Sequence, residues 1–355
     1  MGMRTHSAAV SMPVRNTFSA WRWPEAYRKG MKSTQQTSAA RIGYIDIFKA
    51  IGIILMVMGH VGFGEMFDKV IHAFHMPMFF FASGFLHKER TTGIRTLVRI
   101  KAKKLLIPYF VFGGMCCLLD GRINGISSEP WRNLLWANTT YIPIAGAVWF
   151  LSALFFTEIA YCVLTKYKWR LMIFPIALFG CLAEKLLPYP LPWALGASCV
   201  GLGLYWVGHE TRKREASLKH LLNMPLGLCL ILCMLDGWLI LTNGYINMRA
   251  EKYANIPLFW LNALLSIYIG ISLSKIIQSA LKDTFIEKWL ISVGRDSIVY
   301  VCCNQLVIYF VAALFKHVGI ADACEDVLIL IVSMIILYGL SVLFTRTKLR
   351  FLIGK

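Results

Sequence analysis

The stretch Tyr44-Ile45-Asp46-Ile47-Phe48-Lys49-Ala50-Ile51-Gly52-Ile53-Ile54-Leu55-Met56-Val57-Met58-Gly59-His60 decides how this chain is read. Between Lys49 and His60 every residue is uncharged, and the run is bracketed by groups that hydrocarbon does not tolerate alone. A charge at a bilayer centre costs at least about 2.5 kcal/mol unless it meets protein or a wet cavity. On a helix, Lys49 and His60 fall within about 20° of one face and roughly 16 Å apart along the axis. Asp46 stands one turn before Lys49, where an i,i+3 pair can form. Geometry alone also allows Lys49 to snorkel to the headgroups while His60 anchors the opposite interface.

The same pattern repeats outward from this stretch. Of 355 residues, 57% are hydrophobic and 16% charged, more apolar surface than a soluble fold hides, and disordered, collagenous, coiled-coil and small disulfide-rich classes are excluded. Apolar blocks fall at about 45–62, 71–87, 105–119, 147–165, 171–187, 193–208, 221–241, 256–277, 290–314 and 324–344. Each suits a tilted or slightly short span. The expected fold is therefore an all-α polytopic membrane protein with about ten transmembrane helices over 45–344. Lys and Arg number 28 in the segments on the N-terminal side of the expected membrane and 7 in those on the other. The positive-inside rule then places both termini in the cytoplasm, with a basic tail over 1–44 and a short one over 345–355. The net charge of +18 is accordingly an orientation signal, not a nucleic-acid footprint.

Residues 1–44 hold no continuous apolar run of the kind a cleaved leader needs, and Trp21-Arg22-Trp23 suits a membrane surface. None of the ten cysteines forms a C-x-x-C pair. All but Cys324 lie in or beside apolar blocks, as small packing residues. His72 and His75, with Glu65 and Asp68 close by, could nominally complete a metal site with His60, but no metal is expected. Pro77 is expected to kink its span. Glu158, Asp236, Arg295 and Asp296 are the other ionisable residues in or beside spans. Glu158 either lines a cavity or pairs with a base on another helix, and Arg295 suits an anchor for its helix. Trp131, Trp136, Asn138, Tyr141, Asn243, Tyr245, Asn247, Arg249 and Tyr253 lie in the expected outer segments 120–146 and 242–255. They suit a carbohydrate and an interfacial belt equally.

Read together, several motifs resemble those of the membrane-bound acyltransferase-3 family. They are Tyr44-Ile-Asp46-x-x-Lys49 with His60, then Phe74-His75-Met76-Pro77-Met78-Phe79-Phe80-Phe81-Ala82-Ser83-Gly84-Phe85, and Lys101-x-x-Lys104-Leu-Leu-Ile-Pro108-Tyr109. Trp149-Phe150-Leu151 and Gly294-Arg295-Asp296-Ser297 with Tyr300 follow in the family's order and spacing. The resemblance implies acetyl transfer from cytoplasmic acetyl-CoA to a sugar hydroxyl of a surface glycan such as O-antigen or exopolysaccharide, in a bacterial inner membrane. It makes His60 the general base or a transient acetyl carrier, both suited to imidazole, with Asp46 and Lys49 beside it in the catalytic set. Lys101, Lys104, Lys49 and Arg295 are expected at the acetyl-CoA site, and His75, Trp149, Glu158 and Asn304 at the sugar.

Three departures bear on these roles. Lys49 stands where the family usually has Arg, and Lys101 and Lys104 replace a frequent Arg pair, so charge is kept and the bidentate fork lost. Where many relatives have a His after the late Tyr, this chain reads Tyr300-Val-Cys-Cys303-Asn304. Asn304 and Gln305 could offer neutral hydrogen bonds to a sugar or between helices. The competing class is a transporter or flippase whose pathway Lys49, His60 and Arg295 would line. Oligomeric state, sugar and acyl chain length are not set by the sequence.

Overall fold

The structure, a computed structural model, describes residues 42–89, 93–318 and 325–355. Most of the 1–44 tail, with the Trp21-Arg22-Trp23 patch, and Cys324 lie outside the described residues. The described chain is almost wholly helical, its one sheet being a two-stranded hairpin. In chain order the helices are α1 (Gly43–Val61), α2 (Glu65–His72), α3 (His75–Phe85), α4 (Ile94–Asn124), α5 (Glu129–Leu135), α6 (Gly146–Lys166), α7 (Ile173–Leu186), α8 (Leu195–Lys213), α9 (Lys219–Leu222) and α10 (Leu226–Asn243). The hairpin, β1 (Ile246–Asn247) and β2 (Lys252–Tyr253), leads into α11 (Ile256–Ala280), α12 (Phe285–Arg295), α13 (Ser297–Val318) and α14 (Glu325–Arg346).

Seven of the described helices, α1, α4, α6, α10, α11, α13 and α14, are long and apolar enough to cross a membrane by length and composition. This is the polytopic all-α architecture that the hydropathy blocks imply. The other three blocks fold into pieces outside that class. The 71–87 block splits at Ala73–Phe74 into α2 and α3, so Pro77 sits in the first turn of α3, where a missing N–H costs nothing, and does not kink a span. The 171–187 block yields the 14-residue α7. The 193–208 block becomes α8, whose last turns carry His209, Glu210, Arg212 and Lys213. The 290–314 block is interrupted at Asp296, which separates α12 from α13.

Two local features position the site. Residues Ala102–Leu106 of α4 form a π turn immediately before Pro108. Proline cannot donate to the carbonyl four residues back and its ring crowds that oxygen, so a wider turn relieves the contact at Lys104. On the other side of the core, α12 meets α1 backbone to backbone: a Cβ on Gly294 would stand 1.8 Å from the Asp46 carbonyl oxygen. The late Gly294-Arg295-Asp296-Ser297 motif thus serves to seat α12 against the Asp46 turn.

The hairpin is fastened to α8 by Glu251, which is 3% exposed and adopts a left-handed φ of 58°. Its carboxylate lies against Gly196 at the start of α8, and burial pushes its pKa up to about 7.

Candidate active site

The last turn of α1 carries His60, and the third turn of α13 brings Asn304 to it. His60 Nδ1 lies 2.6 Å from Asn304 Oδ1. Asn304 Nδ2 donates to the Tyr300 and Val301 carbonyls at 2.8 and 2.9 Å. Carbonyl oxygens only accept, so the amide must turn its NH2 toward them and its oxygen toward the imidazole. This network assigns the proton of neutral His60 to Nδ1 and leaves a basic lone pair on Nε2.

His60 opens on a cavity of about 170 Å³ shared with His72, His75, Trp149, Arg249 and Gln305. That is below the usual range of about 300–1,000 Å³ for a pocket that encloses a whole ligand. Its other histidines are oriented alike: His75 Nδ1 is 2.6 Å from the Ile71 carbonyl and His72 Nδ1 is 2.8 Å from that of Asp68. The Nε2 of His75 is therefore an acceptor as well, whereas His72 Nδ1 also lies 3.1 Å from the Asp68 carboxylate. Among the described residues no group of three His, Cys, Asp or Glu side chains is arranged to hold a metal ion. His60 and Gln305 also border a neighbouring recess of about 500 Å³ with Asp120, Tyr141 and Tyr309.

A second cavity, about 840 Å³, lies at the Lys49 end of α1. Among the described residues, Lys49, Lys88, Lys101, Lys104, Lys166 and Arg170 line it against two carboxylates, Glu89 and Glu158. Lys49 is paired with Asp46 at 2.9 Å, the i,i+3 contact the spacing allows. Lys101 meets Glu158 at 2.7 Å. Glu158, expected beside the sugar, lines this cationic cavity and pairs with Lys101, the partner on another helix that the sequence also allowed. Lys213 holds Glu89 at 3.0 Å and, by hydrogen bond and charge, keeps its carboxyl below the ordinary value.

The structure thus brings His60, His75, Trp149 and Asn304 together at one end of α1, and Lys49, Lys101 and Lys104 at the other. Arg295 joins neither cavity. It pairs with buried Asp296 at 2.8 Å, where Lys355 also binds at 2.8 Å, and so anchors the α12–α13 corner. Asp236 accepts from Ser266 of α11, a bond between helices away from both cavities. Between Lys49 and His60, Gly52 of α1 packs against the Phe79 ring, which lines the His60 cavity.

Sequence reasoning missed the second histidine group, His87 and His209. Tyr205 is hydrogen-bonded to His87 and Tyr161 to His209, at the rim of the cationic cavity. Neither histidine falls in the motif run, and only the α3–α8 packing brings their rings to 4.8 Å. Arg249 was legible only as one member of an outer polar segment; its reach into the His60 cavity depends on the hairpin.

No curated protein and no solved structure matches the chain. A family model described as an acyltransferase domain matches residues 42–346, nearly all of the helical unit and both cavities. With that match over most of its length, and with its histidine and basic motifs lining two cavities on one helix, the chain belongs to the acyltransferase-3 family of membrane acyltransferases.

Proposed function

We propose that the protein transfers an acetyl group from acetyl-CoA, held at the cytoplasmic end of α1, to a sugar hydroxyl of a cell-surface glycan presented at the His60 end. The observation that carries this reading is the pairing of a large cationic cavity with a small imidazole-lined one along a single helix face, roughly 16 Å apart by helical rise. Six cationic side chains against two carboxylates suit the phosphates of a CoA thioester, with Lys101 and Lys104 as point charges. The volume of about 840 Å³ falls in the range of small-molecule sites. The pantetheine arm then runs along the Lys49 face, past Phe79, toward His60.

In this reading His60 Nε2 takes the proton of the acceptor hydroxyl while its oxygen attacks the thioester carbonyl. The C–S bond breaks, and the departing thiolate recovers the proton from the imidazolium. A transient acetyl-imidazole would use the same Nε2 lone pair. Asn304 is the positioning residue that keeps this nitrogen unprotonated. At the far end of the face Lys49, oriented by its pair with Asp46, holds the donor. His75 Nε2 and the Trp149 ring border the acceptor, the first as a hydroxyl partner and the second as an apolar platform.

The test is the acetyl ester content of the host's surface glycan, by NMR before and after mild alkali, at matched membrane abundance of protein. Ester with wild type and none with His60→Ala is the expected result. Equal ester from both chains overturns the role of His60. Movement of a glycan without consumption of acetyl-CoA would favour a transport function.

A further inference from the structure

The His60 cavity is electrically lopsided. Among the described residues Arg249 is its one permanent cation, and no Asp or Glu side chain lines it. Asp68 reaches His72 at 3.1 Å but lines a separate outer recess, and Asp120 borders the neighbouring one. The guanidinium is fixed rather than free to swing away. Its Nε donates to the Thr139 carbonyl and its Nη2 to that of Thr140, each at 3.1 Å. The remaining nitrogen, Nη1, has no hydrogen-bond partner among the described residues and lies where a Cβ on Gly146 would be, 2.5 Å away. Glycine at 146 is what admits it. Burial alone pulls the Arg249 pKa down, with no carboxylate acting in the opposite sense.

A guanidinium held in a cavity without a counter-ion stores a desolvation cost that an arriving anion repays. The same cavity offers imidazole Nε2 acceptors on His60 and His75, which suit hydroxyl donors. We propose that Arg249 makes this an acceptor site for acidic saccharides, its Nη1 binding a carboxylate or phosphate on the sugar that presents the hydroxyl to His60. The inference deepens the acetyl-transfer reading and rests on it for what happens to that hydroxyl, but the binding preference itself is measurable without any transfer.

Full-length protein in lipid nanodiscs is titrated with methyl glucuronide, glucose 6-phosphate and neutral methyl glucoside. Wild type is expected to bind at least one anionic sugar about tenfold or more tightly than the glucoside, the scale of one charge-assisted hydrogen bond. The two anionic arms distinguish a carboxylate from a phosphate. Arg249→Gln is expected to bring the preference to near unity while leaving glucoside binding in place. Arg249→Lys, which keeps the charge, is expected to retain part of it. A wild-type chain that binds neither anionic sugar, or binds both no better than glucoside, overturns the proposal, as does a preference that survives in Arg249→Gln. If Arg249→Gln does not fold, the wild-type ratio and Arg249→Lys decide: a ratio near one, or a Lys variant without preference, overturns it. A chain that forms glycan ester yet shows no anion preference refutes this inference alone. One that shows the preference yet forms no ester refutes the transfer reading and leaves the Arg249 site standing.

Discussion

Asn304→Leu is the perturbation that most directly probes the proposed chemistry, because it removes the single acceptor that fixes the His60 tautomer. The side chain is isosteric, so packing is nearly preserved, but the Nδ1–H of His60 loses its 2.6 Å partner. Leaving a buried donor unsatisfied costs about 1–3 kcal/mol. Since that cost is relieved when the proton moves to Nε2, the productive tautomer is depleted by a comparable amount. At 1.4 kcal/mol per decade this corresponds to a fall in kcat of about 5- to 150-fold. The donor KM should be unchanged, because Asn304 lines no part of the cationic cavity. The assay is the initial rate of labelled ester formation on glycan in membrane vesicles, at saturating acetyl-CoA and over a donor titration. An Asn304→Leu chain with wild-type kcat would refute the tautomer argument. A raised donor KM at unchanged kcat would equally show that Asn304 acts elsewhere.

Three other outcomes follow from the geometry. Lys101→Met leaves buried Glu158 without its counter-ion and should destabilise by up to about 3 kcal/mol, one-fifth exposure of Lys101 softening the loss. The double variant with Glu158→Gln should recover thermal stability while the donor KM stays raised; recovery of both would remove Lys101 from the donor site. Glu251 has a folded-state pKa of about 7, above its ordinary value, so the folded state holds its proton more tightly and stability falls as pH rises between about 4.5 and 7. A shift of that size is worth about 3 kcal/mol, and in Glu251→Gln the apparent unfolding temperature should lose this slope; an unchanged slope assigns it to other groups. Gly294→Ala sets a methyl against the Asp46 carbonyl and should cost about 1–3 kcal/mol or more through overpacking, read as a lower yield of folded protein and reduced kcat; a neutral effect would mean α12 is not seated on α1 as described.

The sequence by itself determined the solvent, the helical class and the family. Composition and block length are properties of hydrocarbon compatibility, and the 3.6-residue period alone puts Lys49, Asp46 and His60 on one face. The motif run named the histidine and the lysine pair at the positions where cavities are found. It could not tell Glu158 as a sugar ligand from Glu158 as the partner of Lys101, since that depends on which face of α6 meets α4. Nor could it place the break at Ala73–Phe74 ahead of Pro77, because a proline in a first turn and one in mid-span read identically. The role of Arg295 as an anchor required Lys355, 60 residues on, to share Asp296. Tertiary structure alone decided that Asn304 orients His60 and that Arg249 enters its cavity uncompensated. The reason is physical: both are contacts between elements far apart in the chain, fixed by packing and a hairpin register that no local period encodes.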